Sequence, residues 1–372
     1  MQPSFNPAEV ARYQRHFALA GFGPAAQDRL RRSTVLVIGA GGLGCPALLY
    51  LAAAGVGRIV LLDPDAVEVS NLQRQVLFTT ADVGEAKVAA AARRLTALNP
   101  LVRIEPHRER FTRDNALAFV ADCDVVVDGS DNFPTRYLVN DACVLGGKPF
   151  VYGAIQGFEG QLSVFNWRGG PTYRCLFPEP PAPGTVPNCA EGGVLGVLPG
   201  LIGTGQACEA IKLLAGIGEL LSGRLLLWDA LSMTTHTVAL AADPRSREVR
   251  ELPPDGYGET CAAPEEPPAE VGSDELRAAL AQGPRPQLID VREGWERELG
   301  AINPSVHIPL GALERGMADG DLAALDPRAP TVIYCAAGVR SLRAAQILRE
   351  RHSFRAPASL RGGYHDWLAR PS

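Results

Sequence analysis

The stretch that most restricts what this chain can fold into runs from Val35 to Gln75: VLVIGAGGLGCPALLYLAAAGVGRIVLLDPDAVEVSNLQRQ. Val35-Leu36-Val37-Ile38 enters a turn built on Gly39, Gly41, Gly42 and Gly44. A helix rich in alanine and leucine follows, and a second apolar run ends in Asp63. Short apolar runs on either side of a glycine turn and a helix predict a strand–turn–helix–strand unit. Glycines let the backbone approach phosphates, a helix N-terminus favours anions, and an acid about twenty residues on can hold a ribose hydroxyl. That much describes any adenine nucleotide. Ser70-Asn71-Leu72-Gln73-Arg74 departs from a dehydrogenase, because NAD has no need of an arginine beside its phosphates at this place.

The pattern continues as alternating strands and helices to residue 128, the mark of βαβ units. Residues 8–31 read as helical, Val83 to Leu98 as a helix, Val102 to Pro106 and Asp124 to Asp128 as strands. Arg136 to Leu145 reads as a helix and Pro149 to Ala154 as a strand. Gly160 to Trp167 and Leu225 to Leu240 read as antiparallel strands, with a long apolar helix between Val194 and Ala215. The fold class is therefore α/β, a Rossmann-like, mainly parallel sheet with an antiparallel extension. Residues 1–250 form this domain. Proline and acidic residues crowd 251–271, which reads as a linker. Residues 272–372 form a small α/β domain with strands at Gln287–Val291 and Thr331–Tyr334.

No GxxxxGK[ST] loop is present, so an ATP site here is not of the P-loop type. Arg74 and Lys87 are the candidates to meet phosphate charge; Lys87 is one of only three lysines. Asp131, followed by Asn132 at a strand's C-terminal edge, is placed to bind Mg²⁺. Each has a plainer reading: Asp63 as a turn cap, Lys87 as a solvated helix charge, Asp131-Asn132 as a helix start. Their combination favours the nucleotide. The net charge of −5 leaves no basic footprint for nucleic acid. No apolar run approaches a membrane span, and the first residues lack a signal-peptide core, so a cytoplasmic location is expected.

GAGGLG, Asp63, SNLQRQ, Lys87, Ser130-Asp131-Asn132 and the early Arg12-Tyr13-Gln14-Arg15 together resemble the MoeB/ThiF adenylyltransferases, relatives of ubiquitin-activating enzymes. The resemblance covers residues 8–242 and, through TYRCLFPEPPAPGTVPNCAEGGVLG at 172–196, is nearest to members fused to a rhodanese domain. It implies ATP-dependent adenylation of the C-terminal glycine of a ubiquitin-like sulfur carrier. By the same resemblance Asp63 holds the ribose, Arg74 and Lys87 contact phosphates, Asp131 organises Mg²⁺ and Gly42 lines the turn. It also implies a homodimer in which Arg15 reaches the partner's nucleotide.

Most members of that family carry a structural zinc on two CxxC pairs. Here Thr172 and Cys175 stand at the first pair, and 243–248 has no cysteine, so no zinc is expected. Cys189 matches the cysteine proposed in the fused relatives to bond the carrier, against the reading of an inert loop thiol. Cys45, Cys123, Cys143 and Cys208 read as core, and Cys261 as a linker thiol with or without a relay role.

Near the C-terminus, Thr331-Val332-Ile333-Tyr334 ends at Cys335, followed by Ala336-Ala337-Gly338-Val339-Arg340-Ser341 and a helix from Leu342 to Arg351. A cysteine between strand and helix sits in a cradle of N–H groups that lowers a thiol pKa and stabilises anionic sulfur. The segment resembles the rhodanese loop CxxGxRS, as do Leu288–Glu293 and Leu360–Trp367, over residues 273–369. Four residues separate Cys335 from Arg340, where phosphatase cousins need five, so the pocket suits a persulfide. Gly300-Ala301-Ile302-Asn303-Pro304 replaces the family's Gly-His-Ile-Pro-Gly. The two halves together imply adenylation followed by sulfur transfer to a thiocarboxylate, with a sulfur donor such as a cysteine desulfurase. Molybdopterin, thiamine and tRNA thiolation pathways all stay open. So do an NAD-dependent oxidoreductase and a non-catalytic scaffold for ubiquitin-like proteins.

Overall fold

Gly39 has φ +91°, a left-handed value, and it follows the central strand of the larger sheet's parallel portion. The sheet belongs to a computed structural model that describes residues 4–180, 193–253, 257, 268–282 and 285–369. Its strands are β1 (Thr34–Ile38), β2 (Arg58–Leu62), β3 (Arg103–His107), β4 (Val125–Asp128), β5 (Phe150–Gln156), β6 (Glu159–Phe165), β7 (Arg224–Asp229) and β8 (Thr234–Ala239). They lie in the order β3-β2-β1-β4-β5-β6-β7-β8. β1 to β5 are parallel, and β6 to β8 add an antiparallel edge.

The apolar runs are continuous because both faces are covered. Val35 and Val37 pack with helices Gly23–Arg32, Gly44–Ala54, Lys87–Leu98 and Leu198–Ala215, while Leu36 and Ile38 pack with helices Arg113–Ala121 and Phe133–Gly146. The chain steps outward from β1 to β2 and β3, then returns to β4 on β1's other side. A crevice therefore opens between the C-terminal ends of β1 and β4, the place where such sheets bind ligands. A methyl group on Gly39 would stand 3.0 Å from the Gly129 carbonyl oxygen, and one on Gly129 would stand 2.9 Å from the Ile38 oxygen. The two strand ends meet this closely only because both residues lack a side chain.

Several elements start or divide where backbone chemistry intervenes. The helical stretch at 8–31 divides into Pro7–Phe17 and Gly23–Arg32, with Gly21 and Gly23 at positive φ between them. The helix expected from Val83 begins at Lys87, after Gly84 at φ +89°. The Leu225–Leu240 stretch folds into a hairpin of two strands, β7 and β8, turning at Met233. Cys208, expected in the core with Cys45, Cys123 and Cys143, is exposed instead. At about 100° per residue, position 208 turns away from the buried Ala207 beside it.

The chain divides into two compact units, residues 1–259 and 260–372. The second unit has a parallel sheet in the order β11-β10-β12-β13-β9, from β9 (Glu270–Val271), β10 (Gln287–Asp290), β11 (Val306–His307), β12 (Thr331–Tyr334) and β13 (Pro357–Leu360). Ile289 and Ile333 face one core layer, while Leu288, Val332 and Tyr334 face another. Leu252 is buried in the first unit's core, and the Tyr257 hydroxyl donates to Asp141 Oδ2 at 2.8 Å.

Candidate functional site

The crevice at the sheet's switch point is a cavity of about 430 Å³. Its walls include Gly39, Gly41, Gly42, Asp63, Arg74, Lys87, Asp131 and Asn132, brought from five separate loops. Helix Gly44–Ala54 starts at its floor with no side-chain cap, so its first N–H groups have no side-chain acceptor. Gly44 packs against the Gly39 carbonyl so closely that a methyl group there would lie 1.9 Å from the oxygen.

Asp63 closes β2. Its Oδ2 accepts from Ala40 N and its Oδ1 from Asp65 N, each at 2.8 Å. Burial pushes its carboxyl up, only partly offset by the Lys87 charge and the two amide donors. Lys87, the first residue of its helix, is buried and pairs with Asp65 Oδ2 at 3.1 Å. Arg74 packs over Gly42 and donates from Nη1 to the Ser70 carbonyl at 3.1 Å. Of the segment Ser70–Arg74, only Arg74 reaches the wall. Ser70 and Asn71 end a 3₁₀ turn, Leu72 packs on the core, and Gln73 is exposed. The Ser70 carbonyl thus holds one end of the guanidinium.

Asn132 caps helix Phe133–Gly146, accepting from Thr135 N at 2.9 Å, and leaves Asp131 exposed on the cavity wall just before it. One carboxylate beside a polyphosphate fits Mg²⁺, which takes one or two carboxylates and completes its shell with phosphate oxygens and water. Among the described residues no group of three or more His, Cys, Asp or Glu could hold a metal ion alone. Arg15 is exposed and does not line its own chain's cavity. Cys189 and Cys261 lie outside the described residues.

The cavity also holds residues that motif reading passes over, Asp65, Arg110 and Arg136. Arg136 lies one helical turn past the Asn132 cap, so its side chain returns toward the strand end, and that spacing is the signal. It is buried, with its guanidinium 5.8 Å from the Tyr152 ring centroid. Asp128 ends β4 fully buried. Desolvation pushes its carboxyl up, opposed by the Arg136 charge and by Ser130 N, which donates to Oδ1 at 3.0 Å.

In the second unit Cys335 follows β12 and is 1% exposed. Its Sγ accepts from Gly338 N at 3.1 Å and Ser341 Oγ at 3.5 Å. Ser341 is held in turn by the Gly338 carbonyl and by Ser359. Gly338 takes φ +96° and caps helix Val339–Arg351. Ala337 and Val339 are exposed on the loop, and Ala336 is half-buried. Arg340 makes a bidentate pair with Glu296, Nη1 to Oε2 at 2.7 Å and Nη2 to Oε1 at 2.6 Å. Burial pushes the Glu296 carboxyl up, but Arg340 and Glu293 N hold it below the ordinary range. Loop residues 335–341 thus hold one buried sulfur with one backbone N–H and one hydroxyl donor, among small residues.

Residues 13–249 match the ThiF family, and residues 273–370 match the rhodanese-like domain. The probable adenylyltransferase/sulfurtransferase MoeZ of Mycobacterium tuberculosis is 45% identical over 370 residues, 96% of this chain and 93% of that protein. The adenylyltransferase and sulfurtransferase MOCS3 of Aedes aegypti is 39% identical over 97% of this chain and 87% of its own. The sulfur carrier protein adenylyltransferase of Thermus thermophilus is 56% identical over 64% of this chain and 89% of its own. A crystal structure of E. coli MccB has a TM-score of 0.58 at 23% identity, covering 64% of this chain and 72% of that one, which speaks to the fold alone.

Proposed function

The chain belongs to the ThiF family and ends in a rhodanese-like domain, and from that premise we propose an adenylyltransferase with sulfurtransferase activity that acts on a ubiquitin-like sulfur-carrier protein. The observation that carries the reading is the pairing, in one chain, of a switch-point crevice lined by Arg74 and Lys87 with a buried thiol that accepts from Gly338 N and Ser341 Oγ.

In the first step an oxygen of the carrier's C-terminal carboxylate attacks the α-phosphorus of ATP. The bond to the β-phosphate oxygen breaks, pyrophosphate leaves, and an acyl-adenylate remains. A carboxylate is a poor nucleophile towards an anion, so the site's main task is to neutralise phosphate charge. Arg74 and Lys87 supply two positive charges, the start of helix Gly44–Ala54 supplies N–H donors, and Asp63 holds the ribose. Lys87 enters this role by exchanging Asp65 for a phosphate oxygen. Mg²⁺ held through Asp131 would add charge neutralisation at the phosphates. Arg15 serves the partner's nucleotide in a homodimer.

In the second step a persulfide on Cys335, loaded by a donor such as a cysteine desulfurase, attacks the acyl carbon and AMP leaves. The product is an acyl disulfide joined to Cys335. A second thiol, assigned to Cys189, attacks the Cys335 sulfur and releases the thiocarboxylate. The Cys335–Cys189 disulfide left behind is reduced by an external thiol. The Arg340–Glu296 pair holds the loop in shape through the transfer. The enzyme works in the cytosol; among the described residues no helix is long and apolar enough to cross a membrane.

Asp131→Ala should abolish carrier-dependent ATP–pyrophosphate exchange, and unchanged exchange would sink the assignment. Incubating the enzyme with ATP, a sulfur donor and each candidate carrier, then weighing the products, identifies which of the molybdopterin, thiamine and tRNA thiolation carriers it serves.

A further inference from the structure

Two turns of the first unit, 172–175 and 243–246, are distant in sequence and meet at one sulfur. Cys175 Sγ accepts from Thr172 N and from Asp243 N, each at 3.3 Å, and lies 3.1 Å from Ser246 Oγ. The Thr172 hydroxyl stands 3.7 Å away. Both turns have the two-residue spacing at which related proteins, by the family resemblance, carry zinc-binding cysteine pairs. The residues present do not fit that metal. Among the described residues one thiol stands at the two turns, and two backbone N–H groups already point at its sulfur. The Asp243 carboxylate is taken up by Arg245, whose N donates to Oδ1 at 2.9 Å and whose Nη2 pairs with Oδ2 at 2.8 Å. Four tetrahedral ligands cannot be assembled from this set.

We propose that the Cys175 sulfur itself joins the two turns as a hydrogen-bond acceptor in the place a metal would take, so that this end of the first unit depends on an unmodified thiol and not on zinc. Burial by itself would raise the thiol. The donors from Asp243, Ser246 and Thr172 outweigh it and hold Cys175 below its ordinary value of 9.0. The joint also anchors neighbouring parts of the chain. Arg247, one residue past the turn, bonds Asn166 Oδ1 at 2.7 Å and the Gly170 carbonyl, tying the turn to the end of β6. Beside Cys175, Arg174 holds Asp141, which also receives the Tyr257 hydroxyl. The root of the chain segment that leads to the second unit is therefore fastened around residues 173–175.

Hydrogen exchange on the full-length protein reads the joint directly. The amides of Thr172 and Asp243 should exchange about ten-fold faster in Cys175→Ala, and likewise after iodoacetamide has alkylated Cys175, verified by peptide mass. Alkylation of Cys175 in the wild type should proceed faster than at Cys45 at every pH, and its rate should level off below pH 9. Protein expressed in zinc-rich medium should carry no stoichiometric zinc, and a chelator should leave the exchange of both amides unchanged. One zinc per chain that a chelator strips, with faster exchange afterwards, overturns the proposal. So does identical exchange with and without the thiol. If Cys175→Ala does not fold, the alkylated wild type and the chelator arm decide the matter. None of these readouts depends on adenylation or sulfur transfer.

Discussion

Asp290→Asn removes one negative charge from the floor of the second unit and leaves its partner behind. Asp290 Oδ1 accepts from Arg292 N at 3.1 Å and Arg292 Nε at 2.9 Å, and Oδ2 from Arg292 Nη2 at 2.8 Å and Arg297 Nη1 at 3.3 Å. The paired side chains are 0% and 3% exposed. Asparagine keeps the shape but turns an amide N–H₂ toward donors and cancels the charge. Arg292 would keep the carbonyls of Glu296 and Gly300 and its stacking on Tyr364, 4.2 Å from the ring centroid, but would lose its paired counter-ion. Breaking a buried pair from one side costs about 3–5 kcal/mol. For a domain of this size that is a fall of roughly 15 °C in its midpoint.

The assay is calorimetry of the full-length protein, with heat-dependent alkylation of Cys335 marking the second unit's transition. The first unit's midpoint should not move. The same pair sets a pH signature. Burial pushes the Asp290 carboxyl up, and the Arg292 bonds more than reverse this. A depressed folded value gives stability that is fully present above the ordinary 3.8 and is lost as pH falls through the folded value. The variant should lose that acid dependence. A shift under about 3 °C would mean the pair only repays its own desolvation, and the reasoning would fail.

Lys87→Met should lower the rate of adenylation by about 10²–10³ with the fold intact, as loss of one preorganised donor does; a change in KM alone would count against a transition-state role. Cys335→Ser should leave ATP–pyrophosphate exchange whole and stop thiocarboxylate formation, so continued sulfur transfer would reduce the second unit to a binding module. Arg15→Ala and Asp131→Ala, each inactive alone, should recover about a quarter of the activity when mixed as exchanging homodimers; no recovery would place Arg15 outside a shared site. ATP with Mg²⁺ should raise the first unit's thermal midpoint and NAD should not; the reverse would reopen the oxidoreductase reading.

The crevice is legible between residues 35 and 63 because burial on both faces leaves β1 and β2 as unbroken apolar runs, and the glycine turn between them permits little else. The Cys335 loop is legible for the same reason: strand, cysteine and small residues are consecutive. What sequence could not place is contact across long separations. Thr172 and Cys175 meet Asp243 and Ser246, about seventy residues on, and only the family resemblance marks these places, as those of the two zinc pairs. Asp65 was hidden beside the more conspicuous Asp63, and only the fold shows that it holds Lys87. Ser70 to Gln73 read as part of the site, yet of that segment Arg74 alone lines the cavity, bonded to the Ser70 carbonyl. Cys208 looked buried because its neighbours are, and one step around a helix reversed that.

The close approach of Gly39 and Gly129 has a consequence for how this enzyme tolerates change. The two residues belong to turns ninety positions apart, but each occupies space the other would need for a side chain. Adding a methyl group to either would push β1 and β4 apart at the crevice floor and widen the nucleotide's seat before any binding residue was touched. Variation at one turn is thus limited by the other. A screen for altered nucleotide preference should find second-site partners across this seam sooner than around Arg74 or Lys87.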